Sequence, residues 1–161
     1  MKKASVSSIS NNPVAVALQE MLVSTYTTYL LTHNYHWNVE GPNFYSLHKL
    51  LDDQYNELFA AIDEIAERIR ALDAYALVGG LADLAAQAKK YPSPVKSGKD
   101  ASRVAETMIG QLISSNEDTV AAAQKAKRAA EKAGDDESVD IMVGRITAHQ
   151  KAIWMLKSSV K

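Results

Sequence analysis

His36 and His48 stand twelve residues apart on either side of a Gly41-Pro42 break, and Asp52 follows the second histidine by one helical turn. Imidazole nitrogen and carboxylate oxygen together form a borderline-to-hard donor set, suited to Fe(II), or to Zn(II) and Mn(II). The chain contains no cysteine, which removes disulfides, thiolate metal sites and thiol catalysis from consideration. A further acidic pair, Asp63 and Glu67, recurs at i, i+4 along the same segment.

These residues share a face. Counting 100° per residue from His48, Asp52 falls at about 40°, Asp63 at about 60° and Glu67 at about 100°. Asp53, Glu57 and Glu64 fall at about 140° to 180°, where they read as a solvated face. Tyr55, Phe59, Ile62 and Ala66 lie between the two ionisable groups, so carboxylates bracket an apolar stripe. The midpoints of the two groups are roughly 22 Å apart along a straight helix, too far for one chain to close them on one ion. If the helix packs antiparallel on its copy across a two-fold axis, the His36/His48/Asp52 end of one subunit meets the Asp63/Glu67 end of the other. Two composite sites result.

The elements that must position these residues are all helical. Asn12-Pro13 reads as an N-cap and first turn, and Leu18, Leu22, Thr25, Tyr29, Thr32 and His36 then recur at spacings of three and four up to Gly41-Pro42. A second helix is expected over about 43–72, with no internal Gly or Pro. Gly79-Gly80, Pro92, Pro94 and Gly98 break the pattern around "LADLAAQA", a short helix in a long connection. Asp100 opens a third helix to about Ala133, and Gly134 separates it from a fourth over about 136–160. The fourth carries Met142, Ile146, His149, Ile153, Leu156 and Val160 on one seam, with His149 expected at an interface. No strand-like alternation occurs, so the fold class is all-α: a four-helix bundle with a short extra helix in the connection between helices two and three. Residues 1–11 read as a flexible arm, and 12–161 as one domain.

Composition bounds the partners. Eighteen Lys and Arg oppose nineteen Asp and Glu in 161 residues, a net charge of −1, so no global cationic field draws the body to nucleic acid or an anionic membrane. The first twelve residues lack the apolar run of a signal peptide, and no apolar stretch reaches membrane-spanning length, which suggests a cytoplasmic protein.

The run "HWNVEGPNFYSLHKLLDDQYNELFAAIDEIAERI", with His36, Trp37, Asn38, Val39, Gly41, Phe44, Leu47, His48, Asp52, Asp63, Ala66, Glu67 and Arg68, resembles the Dps proteins. These are mini-ferritins named as DNA-binding proteins from starved cells. The likeness extends more loosely over about 13–157, including "HQKAIWML". It implies a ferritin-like bundle, a hollow dodecamer and an iron centre at each two-fold interface. The centre would oxidise Fe(II) with hydrogen peroxide in preference to dioxygen and store the ferric product as an oxide. Carried over, His36, His48 and Asp52 would come from one subunit and Asp63 and Glu67 from its mate, with Zn(II) as an alternative occupant. DNA binding, and with it a nucleoid association, stays open: Lys2 and Lys3 at one end and Lys157 and Lys161 at the other are the available cations. Trp37 and Trp154 are either packing bulk or interceptors of stray oxidant near the centre. Asp135, Asp136 and Asp140 either cap a helix or line a pore.

Overall fold

A computed structural model describes residues 11–76, 80–92 and 101–160. The expected arm, its Lys2 and Lys3, and Lys161 thus lie outside the described residues, apart from residue 11. Five helices follow in order: α1 Pro13–Asn38, α2 Phe44–Ala71, α3 Gly80–Gln87, α4 Ala101–Ala133 and α5 Asp136–Ser159. No strand occurs among the described residues.

Local chemistry sets the helix ends. The Asn12 side chain accepts from the backbone N–H of Val14 at 2.9 Å, and proline fills the first position of α1, where a missing N–H costs nothing. α1 stops at Asn38, three residues before Gly41, whose φ of 110° turns the chain into α2. α4 ends at Gly134, with φ 69°, and Asp135 then caps α5 by accepting from Ser138 N–H at 3.0 Å. Asp136 and Glu137 complement the positive end of the α5 dipole.

α1 packs on α2 and on α4, and α5 packs on α4, while α2 and α5 meet more sparsely. Two short turns therefore make two hairpins, and the long connection carrying α3 joins them. This is the expected bundle with one crossover.

The core is divided along the bundle axis. One apolar cluster contains Leu18, Leu22, Ile65, Ile69, Ala126 and Met142; the other contains Tyr35, Leu47, Leu51, Ile109, Leu112 and Leu156. Between them in register lies a buried polar belt of Thr25, Thr28 and Thr32 on α1, Ser115, Asn116 and Thr119 on α4, and His149 on α5. Its hydroxyls satisfy one another: Thr28 Oγ1 lies 2.8 Å from Ser115 Oγ and 2.9 Å from Thr119 Oγ1.

The belt corrects one expectation. His149 is 1% exposed within its own chain, with Nδ1 donating to Asn116 Oδ1 at 2.7 Å, so it is a core residue and not an interface one. Arg145, 6% exposed, reaches His149 Nε2 at 3.4 Å and forms a bidentate pair with Glu57, whose Oε2 accepts from Nη2 at 3.0 Å. Glu57 is therefore tied to α5 and does not belong to a purely solvated face, whereas Asp53 and Glu64 are exposed.

Candidate metal centre

The α1–α2 elbow brings His36 and His48 together. Their rings stack with centroids 3.8 Å apart and planes 20° from parallel. His36 Nδ1 lies 3.0 Å from the His48 carbonyl oxygen, and His48 Nδ1 lies 2.9 Å from the His36 carbonyl oxygen. A carbonyl oxygen can only accept, so each Nδ1 carries the proton and each Nε2 holds the lone pair. Backbone contacts thereby fix the tautomer that a metal-binding imidazole needs.

Asp52 follows on α2. A hydrogen bond from the Tyr55 phenol, aided by Lys49 and His36, outweighs desolvation and holds its carboxyl below the usual carboxylate range. The Lys49 ammonium is 3.6 Å from Asp52 Oδ2. Asp63 and Glu67 lie towards the other end of α2, both exposed, in a shallow hollow with Ala60, Arg68 and Ile141. Arg68 is turned away from them, 2.5 Å from Asp135 Oδ1 and bonded to Ser138 through Nε at 2.9 Å. Burial alone would raise the Asp135 carboxyl, but hydrogen bonds from Ser138 and Arg68 prevail and hold it low. Asp135 thus caps α5 and also anchors Arg68; Asp136 and Asp140 are exposed.

Among the described residues, no three His, Asp or Glu side chains of one chain gather closely enough to hold a metal ion. One chain presents two separated groups, with His36, His48 and Asp52 at one end and the Asp63/Glu67 pair at the other. The stripe between them is more varied than its spacing suggests. Ile62 is buried in its own core, Tyr55 and Ala66 are half-buried, and Phe59 stands 64% exposed. Trp37 and Trp154 are 63% and 65% exposed, so neither fills space inside its own chain.

His33, three residues before His36, is not among the residues whose spacing marks the candidate site. Its ring stacks on Tyr55 at 4.2 Å and 25° and lies 4.2 Å from Trp37, which makes it the hub of the aromatic cluster beside His36. The i, i+3 spacing from His36 was the available signal.

The ferritin-like domain family matches residues 15–161. A DNA protection during starvation protein of Brevibacillus brevis is 31% identical over 147 residues, covering 90% of this chain and 93% of its own length. The chain belongs to the Dps family. The crystal structure of Dps from Staphylococcus aureus superposes with a TM-score of 0.80 at 33% identity, over 92% of this chain and 95% of that one. A Dps structure from Vibrio cholerae, described as a member of a broad superfamily of ferritin-like diiron-carboxylate proteins, gives 0.78 at 27% identity over 92% and 89%. In this Dps chain the belt at the bundle's waist is built of hydroxyls, an amide, an arginine and a neutral histidine, and the candidate carboxylates face outward from α2.

Proposed function

We propose that this Dps protein oxidises Fe(II) and stores the ferric product inside a dodecameric shell. Each centre is composite, with His36, His48 and Asp52 from one subunit and Asp63 and Glu67 from its two-fold mate. The reciprocal His36/His48 clasp carries this reading, because it leaves two Nε2 lone pairs on adjacent rings while, among the described residues, no three His, Asp or Glu side chains of one chain gather closely enough to hold an ion by themselves. Phe59 and Trp37, exposed on the single chain, supply apolar surface for the mate to cover.

The residues divide the work by donor type. Neutral imidazoles can ligate Fe(II), and three carboxylates favour the ferric product through their charge. Two Fe(II) each release one electron, and one hydrogen peroxide takes both, with two protons, to become two waters. Consuming the oxidant as a two-electron acceptor avoids hydroxyl radical, so DNA is protected without being touched. Zn(II), which has no accessible redox step, would occupy the same donors and inhibit.

Mixed-subunit complementation tests the composite site. His48→Gln/Asp52→Asn subunits and Asp63→Asn/Glu67→Gln subunits are each expected to be inactive in anaerobic Fe(II) loading followed by peroxide. Refolded together in equal amounts, they should recover about a quarter of wild-type activity, since half of random pairs are mixed and each mixed pair holds one intact centre. No recovery in verified mixed assemblies refutes the sharing of ligands.

A further inference from the structure

We propose that Asp135 and Ser138 are positioning residues for the Asp63/Glu67 half of the metal centre: they hold the Arg68 guanidinium on α5 and so keep it off those carboxylates. The proposal rests on Asp63 and Glu67 being ligands, as argued above, and adds residues that do not themselves touch the metal.

Arg68 follows Glu67 directly on α2 and stands four residues after Glu64. Its side chain lines the same shallow hollow as Asp63, Glu64 and Glu67, together with Ile141 of α5. An arginine four residues beyond a glutamate on an exposed helix face ordinarily pairs with it, and its planar fork suits any carboxylate in reach. Here it does neither. Among the described residues, the side chains of Asp63, Glu64 and Glu67 enter no hydrogen bond or ion pair.

The guanidinium is instead drawn across to the start of α5. Nη2 lies 2.5 Å from Asp135 Oδ1, Nε donates to Ser138 Oγ at 2.9 Å, and Glu137 Oε2 lies 3.8 Å from the same Nη2. The anchor is itself fixed, since Asp135 Oδ1 accepts from Ser138 N–H at 3.0 Å and Oδ2 accepts from the Ser138 hydroxyl at 2.7 Å. Ser138 Oγ thus accepts from Arg68 and donates to Asp135 at once. The Arg68 and Asp135 side chains are 19% and 10% exposed and Ser138 is fully buried, so this is not a solvent-screened surface bridge.

A cation centre needs this separation. A guanidinium bound to Asp63 or Glu67 would occupy the oxygens that a metal ion must reach, and would place a positive charge where another has to arrive. Arg68 is always charged, so it cannot be silenced by losing a proton and has to be held elsewhere. Two anions at the start of α5 neutralise it there. The carboxylates on α2 keep their charge uncompensated, which is the state that attracts a divalent cation.

Anaerobic Co(II) titration of the assembled protein, with particle mass checked for every variant, tests the arrangement. Asp135→Asn/Glu137→Gln keeps the helix cap but removes both anions that hold Arg68. It should weaken Co(II) binding by about 10-fold, within the range for residues that act behind the ligands. Adding Arg68→Gln to that variant should bring affinity back to within about two-fold of wild type, because no guanidinium is left to compete. Arg68→Gln alone should bind Co(II) as wild type does. Ser138→Ala is a milder release for the case where the double variant does not assemble; it should cost about 2- to 3-fold and be relieved by Arg68→Gln in the same way.

A purely structural role for Asp135 and Ser138 predicts the reverse, since a further substitution would compound the damage and not relieve it. Unchanged affinity in both released variants, or a loss that Arg68→Gln leaves in place, overturns the proposal while the site reading stands. So does an equal loss in Arg68→Gln alone. If the wild type binds no Co(II), or binds it equally well after Asp63→Asn/Glu67→Gln, the site reading falls and takes this proposal with it.

Discussion

Replacing His149 by glutamine should flatten the acid limb of this protein's stability. The imidazole is 1% exposed, donates from Nδ1 to Asn116 and faces the Arg145 guanidinium with Nε2. Burial first, and the Arg145 charge second, push its pKa from 6.5 down to about 3. The unfolded chain therefore takes up a proton near pH 6.5 that the folded chain refuses, so stability falls as pH drops through that value and keeps falling towards about 3. At about 1.4 kcal/mol per pH unit below the unfolded pKa, the loss between pH 7.5 and 4.5 comes to roughly 2 to 3 kcal/mol. Asp118 and Asp135, both held below 3.8, act only beneath this window. The other three histidines are common to both proteins and cancel in the comparison. Urea unfolding, followed by the fluorescence of Trp37 and Trp154 at one fixed subunit concentration, gives the two pH profiles. Glutamine should cost about 1 to 3 kcal/mol at pH 7.5 through a disturbed network. The gap between the two proteins should then narrow as pH falls. Profiles that stay parallel within about 0.5 kcal/mol would refute the claim that His149 is locked in its neutral form.

Three further outcomes follow from other contacts. Asp135→Ala should destabilise by about 2 to 4 kcal/mol in urea, losing both the α5 cap and the half-buried Arg68 partner, with Asp135→Asn recovering part by keeping the cap. Because the Asp135 pKa is depressed in the fold, its contribution is present above pH 3.8 and disappears as pH falls through the lower folded value. Thr28→Val should lower the melting temperature by removing a hydroxyl shared with Ser115 and Thr119, a loss of about 1 to 3 kcal/mol, whereas Thr28→Ser should recover most of it. Gly134→Ala should cost about 1 to 2 kcal/mol through its φ of 69° alone, since a Cβ there meets nothing, while Gly110→Ala on α4 should stabilise by about 0.5 to 1 kcal/mol.

Periodicity and punctuation made the helices legible. The expected 43–72 and 136–160 became Phe44–Ala71 and Asp136–Ser159, because Asn12-Pro13, Gly41-Pro42 and Gly134-Asp135 act through local backbone chemistry that depends on few neighbours. The spacing of His36 and His48 about the bend likewise placed them at one height. What stayed hidden depends on pairings between distant segments. The His149 seam identified an apolar stripe on α5 but not Asn116, thirty-three residues away, as the group filling it. Glu57 looked solvated when α2 was considered alone, and Arg145 of α5 claims it. The setting of His33 is not legible in spacing, because its ring leans onto Tyr55 of another helix, a choice of rotamer and inter-helix register that a one-dimensional count does not contain. The Nδ1-to-carbonyl bonds are of the same kind, side chain meeting backbone across the elbow.

Those two bonds place maintenance and commerce on opposite edges of the same rings. The Nδ1 edge of each imidazole buckles the elbow, and the Nε2 edge takes no part in that clasp. In the proposed centre, an ion held through Nε2 would leave both bonds that fasten α1 to α2 in place.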